Sequence, residues 1–155
     1  MKIDDEGYRL NVGIILLNQN NQLFWACRND IPNAWQFPQG GVDEGETPVE
    51  AMYRELKEEV GLNSEVVKLI AESQHWLKYR LEESRIKRKY IGQKQKWFLL
   101  RFLGSDHRID LTAVSSIEFC RWKWVDYWYP LTHIVEFKRE VYTKVLQEFS
   151  AYISS

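Results

Sequence analysis

The stretch RELKEEVGL, residues 54–62, places three glutamates within five positions and closes with a glycine and a leucine. A little upstream, Thr47 and Glu50 match a T-x-x-E capping box, which is typical of a helix start. Gly61 supplies the left-handed residue at which helices commonly end. These signals predict a helix over residues 48–60.

The acidic side chains of this helix share one face. At about 100° per residue, Glu55, Glu58 and Glu59 fall on the same side, beside a stripe of apolar residues. Such a face is common on solvated helices, because exposed like charges at these spacings cost only about 0.2–0.5 kcal/mol each. The glycine pair Gly40 and Gly41 favours a second interpretation, since it lets a backbone carbonyl approach the helix. Carboxylates, a carbonyl and water are typical ligands of Mg²⁺ or Mn²⁺.

Length and composition indicate an ordinary globular protein. With 155 residues, 45% of them hydrophobic and 28% charged, the chain is expected to form a single domain and is neither disordered nor fibrous in composition. The apolar run at residues 12–17 is too short for a membrane span, so no membrane partner is expected. Cys27 and Cys120 fit no metal-binding spacing and favour a reducing compartment, which predicts a cytoplasmic protein.

Hydrophobic patterning predicts a mixed β-sheet with helices packed against it. Runs rich in β-branched and aromatic residues predict strands over residues 8–17, 22–28, 65–77, 95–103 and 121–125. The Asn/Gln turn between the first two strands favours a hairpin. A helical apolar stripe predicts a second helix over residues 135–153. The charged span 80–92 is interpreted as a loop, and the tryptophans as packing residues.

The charge is unevenly distributed along the chain. Residues 78–96 carry eight Lys or Arg and two Glu, a local charge of +6 in a chain whose net charge is −1. A stretch of this kind is either a solvated loop or a binding surface for a polyanion.

Residues 40–62 resemble the Nudix box, G-x5-E-x7-R-E-U-x-E-E-x-G-U with U apolar. Every fixed position is filled, by Gly40, Glu46, Arg54, Glu55, Leu56, Glu58, Glu59, Gly61 and Leu62. The resemblance extends over about residues 4–150. It implies the α/β fold of this family, an α/β/α sandwich of a mixed sheet and helices, formed as one domain over residues 1–155. The box would form a loop-helix-loop metal site in which divalent ions neutralise the crowded carboxylates.

The resemblance also implies roles for individual residues. The metal ligands would be Gly40 through its carbonyl, Glu55, Glu58, Glu59 and, from a distant loop, Glu118. Arg54 would orient a catalytic glutamate, and Glu46 would fix the loop before the helix. Glu55 is our choice for the base that accepts a proton from the attacking water, with Glu118 as the alternative.

The implied reaction is metal-dependent hydrolysis of a phosphoanhydride in 5′-triphosphorylated RNA, leaving a 5′-monophosphate end and promoting 5′-end-dependent mRNA decay. By resemblance, residues near the phosphates are Arg28, Tyr79, Gln93 and Lys94. Residues that would hold a nucleobase are Arg9, Val135, Phe137 and Lys138. From the pattern alone Phe137 could instead be a core residue, and Arg9 and Arg28 could be surface charges.

Two other functions stay open from the sequence. One is an enzyme that hydrolyses free dinucleoside polyphosphates, because one pocket could admit either polyphosphate. The other is a non-catalytic nucleotide-binding regulator, a function that usually accompanies loss of box carboxylates, none of which is lost here. Whether the protein has protein partners is left open by the sequence.

Overall fold

The structure is a computed structural model that describes residues 2–80, 90–114 and 116–153. Its strands and α-helices, in chain order, are β1 (Tyr8–Leu17), β2 (Leu23–Arg28), β3 (Trp35–Gln36), β4 (Gln39–Gly41), α1 (Pro48–Val60), β5 (Val67–Glu72), β6 (Leu77–Arg80), β7 (Gly92–Phe102), β8 (Phe119–Val125) and α2 (Glu136–Phe149). The strands form one sheet with the order β3-β2-β1-β7-β5, to which β4 adds on β1, β6 on β7 and β8 on β2.

The centre of the sheet is a parallel pair. β1 and β7 run side by side from Tyr8 opposite Gly92 to Leu17 opposite Arg101, whereas the other strand pairs are antiparallel. The predicted β1–β2 hairpin is present only near its turn, where Leu17 pairs with Leu23. Nearer the start of β1, residues 11–13 pair with β4 instead, so β2 separates from β1 there.

Two hydrophobic layers cover the sheet. Ile14 and Leu16 of β1 pack with α1, whereas Ile15 and Leu17 of the same strand pack with α2. Because successive side chains of a strand point to opposite faces, α1 and α2 lie on opposite sides of the sheet. The predicted α/β/α arrangement is thereby confirmed.

The first helix begins and ends where its caps predict. The Thr47 hydroxyl accepts a hydrogen bond from the Glu50 amide, and the Glu50 carboxylate accepts one from the Thr47 amide. Gly61 ends the helix at φ 75°, a left-handed conformation that suits glycine. The apolar stripe of α1 is buried against the sheet, so its acidic face lies along the rim.

Some predicted elements differ from the structure. The strand expected over residues 65–77 is two strands, β5 and β6, separated where the Ser73 hydroxyl accepts a hydrogen bond from the Trp97 amide. The second helix ends at Phe149 and continues only as a short 3₁₀ turn. Most of the loop expected at 80–92 lies outside the described residues. Within the described residues, no helix is long and apolar enough to cross a membrane.

Candidate active site

Arg54 ties the acidic helix to the loop before it. Its guanidinium donates to both carboxylate oxygens of Glu46, at 2.7 and 2.9 Å, and to the Gly41 carbonyl at 2.8 Å. The remaining nitrogen donates to Glu55 at 2.8 Å and to Glu58 at 3.3 Å. The hydrogen bonds with Glu46, and then those with Glu55, raise the pKa of Arg54 further above its ordinary range. Arg54 is therefore a fixed positive charge that orients Glu55, and Glu46 braces the loop.

Glu55 and Glu59 form a buried carboxyl pair. Their exposed fractions are 8% and 7%, and the two side chains lie four residues apart on the same side of α1. Burial raises the pKa of both carboxyl groups, and the charge of Glu55 raises that of Glu59 further. One oxygen of Glu59, Oε2, has no hydrogen-bond partner among the described residues. A buried carboxylate oxygen without a donor is costly unless a cation binds it, so this pair fits a divalent metal ion.

Gly40 lies directly against this pair. A β-carbon added to it would come within 2.0 Å of the Glu55 carboxyl carbon, so the backbone of β4 can approach Glu55 only because residue 40 is glycine. The backbone of Gly40 therefore lies beside the Glu55 carboxyl group, and the role of its carbonyl as a metal ligand stays a prediction.

The two other predicted metal ligands are less enclosed. The Glu58 side chain is 45% exposed and is turned toward Arg54, and Glu118 is an exposed residue just before β8. Burial raises the pKa of Glu59 most, the charge of Glu55 raises it further, and the charge of Glu118 adds a smaller increase. Glu118 is therefore close enough to act on the pair electrostatically. In this arrangement, the described part of the chain contains no tight group of three or more His, Cys, Asp or Glu side chains. The full ligand set therefore stays a prediction.

Several predicted substrate residues converge on the opposite, α2-facing side of the sheet. Gln93 of β7 pairs with Arg9 of β1 on one side and with Tyr79 of β6 on the other. Arg9 Nε and Gln93 Oε1 are buried without hydrogen-bond partners among the described residues. Burial raises the pKa of Tyr79 to about 12, and its ring lies 5.6 Å from that of Phe137. We call this region, around Arg9, Tyr79, Gln93 and Phe137, the cleft. A buried donor and a buried acceptor without partners are costly, and a polar ligand that reached them would satisfy both.

Lys138 places a buried positive charge in the same region. It is 7% exposed, it donates to Gln36 Oε1 at 3.3 Å, and within the described residues it has no carboxylate partner. Burial, and then the charge of Arg28, lower its pKa to about 8. Arg28 itself pairs with Asp30 at 2.6 Å. The cleft thus has an excess of positive charge that an anionic ligand would offset.

Val135 and Phe137 lie at the start of α2 and are 49% and 46% exposed. The interpretation of Phe137 as a core residue is therefore wrong. Its ring lies near Tyr79 and the Lys138 ammonium and is partly open to solvent.

Lys94 lies apart from the cleft. Because side chains alternate along a strand, Lys94 faces away from the side to which Gln93 points, and it forms ion pairs with Asp4 and with Glu6. Lys78 and Lys96 also have carboxylate partners, at 3.9 and 3.5 Å. The described part of the basic stretch 78–96 is thus largely neutralised, and the structure does not bring Lys94 to the predicted phosphate site.

An amide network in the cleft floor was missed from the sequence. Gln95 Nε2 donates to Asn11 Oδ1 at 2.8 Å and to Gln39 Oε1 at 3.1 Å, and Gln95 and Asn11 are both about 1% exposed. Polar residues inside otherwise apolar strands are the signal that could have found it.

A separate pocket of about 360 Å³ lies at the far end of β1 and β7, beside Phe102, Asp106 and Trp124, and no predicted site residue lines it.

Comparison with known proteins identifies the family. The NUDIX domain model matches residues 7–146. The chain belongs to the NUDIX family. A Francisella tularensis subsp. mediasiatica protein named RNA pyrophosphohydrolase is 53% identical over 155 residues, covering 98% of this chain and 99% of the relative. A Vibrio vulnificus (strain YJ016) protein of the same name is 52% identical over 153 residues, covering 96% of this chain and 88% of the relative.

Solved structures share the NUDIX fold. The E. coli dihydroneopterin triphosphate pyrophosphohydrolase has a TM-score of 0.71 at 23% identity, covering 95% of this chain and 99% of that one. A C. elegans Ap4A hydrolase has a TM-score of 0.72 at 21% identity, covering 93% and 96%. NUDIX hydrolases generally use divalent metal ions, and the unpartnered Glu59 oxygen is consistent with that chemistry.

Substituting Lys138 with methionine is expected to stabilise the NUDIX domain. The folded-state pKa of about 8 lies below the ordinary value of 10.5, so charging Lys138 below pH 8 costs folding free energy, up to about 3 kcal/mol. The cost disappears as pH rises from 8 towards 10.5, because the unfolded chain then also loses the proton. Urea unfolding should show a more stable variant at neutral pH and a much smaller difference at about pH 10.

The exposed Lys144 of the same helix provides the control. Lys144→Met should leave the free energy of unfolding almost unchanged at both pH values. A Lys138→Met variant no more stable than the wild type at neutral pH would contradict the assignment of Lys138 as an unpaired buried charge.

Proposed function

We propose that this protein is a metal-dependent RNA pyrophosphohydrolase, which converts 5′-triphosphorylated RNA ends to 5′-monophosphate ends and so promotes 5′-end-dependent mRNA decay in the cytoplasm. The observation that carries the proposal is the 53% identity to a protein of that name over almost the full length of both chains. The site supports it, because the acidic pair and the cleft meet at β4, where Gly40 lies against Glu55 and Gly41 lies against the Arg9 guanidinium. Acidic metal ligands beside cations suit a metal-bound polyphosphate.

The acidic rim would hold Mg²⁺ or Mn²⁺. The proposed ligands are the Gly40 carbonyl and the side chains of Glu55, Glu58, Glu59 and Glu118. A bound divalent ion would offset the phosphate charge and lower the pKa of the attacking water. In this proposal Glu55 accepts the proton of that water, with Glu118 as the alternative base. Arg54 holds the Glu55 carboxylate in place through its 2.8 Å hydrogen bond.

The cleft would bind the 5′ end of the RNA. Arg9 and Lys138 would supply positive charge for the phosphates, and Arg28 would add to it by exchanging Asp30 for a phosphate. Tyr79 and Gln93 line the same face of the sheet. A nucleobase would pack on the exposed Phe137 ring beside Val135, and stacking of this kind is worth roughly 1 to 3 kcal/mol per base. Lys94, on the other face, takes no part.

A side-by-side assay tests this proposal against the other functions. The wild-type protein with Mg²⁺ should show a higher kcat/KM on 5′-triphosphorylated RNA than on diadenosine tetraphosphate, and its activity on RNA should fall as salt rises. Equal or higher kcat/KM on the dinucleotide would identify a dinucleoside polyphosphate hydrolase. Binding of both compounds without turnover would identify a non-catalytic regulator. The Glu55→Gln variant, purified in parallel, controls for contaminating phosphatases.

A further inference from the structure

Two cations on the edge strand β8 stand over aromatic rings. Arg121 and Lys123 are both exposed and, being two residues apart, project from the same face of the strand. The Trp35 ring centre lies 5.4 Å from the Arg121 guanidinium and 4.7 Å from the Lys123 ammonium. Lys123 also lies 5.1 Å from the Tyr129 ring centre. We call Trp35, Arg121, Lys123 and Tyr129 the cationic strip.

The two charges of the cationic strip are not neutralised by acids. Within the described ranges neither Arg121 nor Lys123 forms an ion pair, and their polar contacts are neutral, to Asn33 Oδ1 at 3.4 Å and to the Tyr129 hydroxyl at 3.2 Å. Lys94, by contrast, is held between two carboxylates. Aromatic rings position a cation without cancelling its charge, so the strip remains available to an anion.

The cationic strip adjoins residues of the cleft in the sheet. Arg121 pairs across the sheet with Cys27, the residue before Arg28. On the other side, Trp35 is followed by Gln36, whose side chain accepts the hydrogen bond from Lys138. An RNA chain that leaves the cleft near Arg28 or Lys138 can therefore reach the strip.

The shape and charge of the strip favour one kind of occupant. Charged side chains on an edge strand oppose pairing with a strand of another protein. Side chains two positions apart on a strand are separated by about 7 Å, which suits neighbouring phosphates of an extended single strand. A positive groove with aromatic rings is also the usual surface for single-stranded nucleic acid.

We infer that the cationic strip binds backbone phosphates of the RNA downstream of the nucleotides held in the cleft. The inference rests on the proposed function and extends it, since it explains how the enzyme would prefer a long RNA to a dinucleoside polyphosphate. A dinucleoside polyphosphate has no phosphodiester backbone, so it offers the strip no downstream phosphate to bind.

The test compares a triphosphorylated dinucleotide with a triphosphorylated RNA dodecamer. In the Arg121→Gln/Lys123→Gln variant, kcat/KM on the dodecamer should fall roughly tenfold. The slope of log(kcat/KM) against log salt concentration should become shallower by about 1.4, as expected for two lost phosphate contacts. The value on the dinucleotide should stay within about twofold of wild type, which also shows that the variant is folded. The control, Lys68→Gln/Lys144→Gln, removes two exposed charges elsewhere and should leave kcat/KM unchanged on both substrates.

The outcomes separate this inference from the proposed function. Suppose that the wild type turns over both RNAs and that the double variant loses kcat/KM equally on both or on neither. This result would overturn the role of the strip but leave the enzyme assignment standing. A protein partner at this face would give that result. If the wild type turns over neither RNA, the proposed function is overturned, and the role of the strip with it.

Discussion

Replacing Glu55 with glutamine is expected to lower kcat on triphosphorylated RNA about a thousandfold, within the range that loss of a general base produces. The change keeps the shape of the side chain but removes the negative charge that would bind metal or accept a proton. The fold should survive, because Glu55 is buried beside Glu59 and burial already disfavours its charge. Steady-state turnover and thermal unfolding of the same preparation measure the two effects.

Glu50→Gln provides a matched control on the same helix. Glu50 lies in the first turn, away from the acidic face, and glutamine can also complete a capping box. This variant should therefore keep both turnover and melting temperature. If Glu55→Gln turns over RNA at a near-normal rate, the assignment of this helix as the metal-binding element is wrong.

Gly40→Ala is expected to be almost as damaging to turnover, although it touches no charge. The new methyl group would occupy the space of the Glu55 carboxyl carbon, 2.0 Å away, and the flexible end of Glu55 would have to move. Its hydrogen bond with Arg54 would be lost. A displacement of about 1 Å at a catalytic group can cost about a hundredfold, so we expect kcat to fall by at least that much. Stability should change little, because a side-chain end moves and the backbone does not.

A double-mutant cycle isolates the cause. If alanine at residue 40 acts only by displacing Glu55, the Gly40→Ala/Glu55→Gln variant should be no slower than Glu55→Gln alone. If instead the loss in kcat of the double variant equals the product of the losses of the two single variants, Gly40 affects turnover by another route. Melting temperatures of all three variants should remain close to that of the wild type.

The acidic helix could be predicted from sequence because its signals are local. The capping box, the glycine stop and the shared face of the glutamates depend on residues within a few positions of one another, and all are present in the structure. The glycine pair Gly40 and Gly41 likewise predicted a close approach of the backbone to the helix, and Gly40 lies against Glu55. Local chemistry of this kind constrains the structure strongly.

The other features depend on contacts between distant residues. The split between β5 and β6 follows from the hydrogen bond of Ser73 with Trp97, which no local pattern records. Lys94 faces Asp4 and Glu6 because of the register of β7, and a shift of one residue would have turned it into the cleft. Phe137 continues a helical apolar stripe, yet it is exposed because it lies at the start of α2, beyond the core.

The parallel pair of β1 and β7 has a consequence for biosynthesis. Asn11 and its partner Gln95 are 84 positions apart, and parallel pairing between such remote segments closes slowly. During translation much of the apolar surface of β1 therefore stays uncovered until β7, which ends at Phe102, has been made. A truncated product ending before Gly92 would contain the whole acidic helix but not the strand that completes the centre of the sheet, so it would be a target for proteolysis rather than a miniature enzyme.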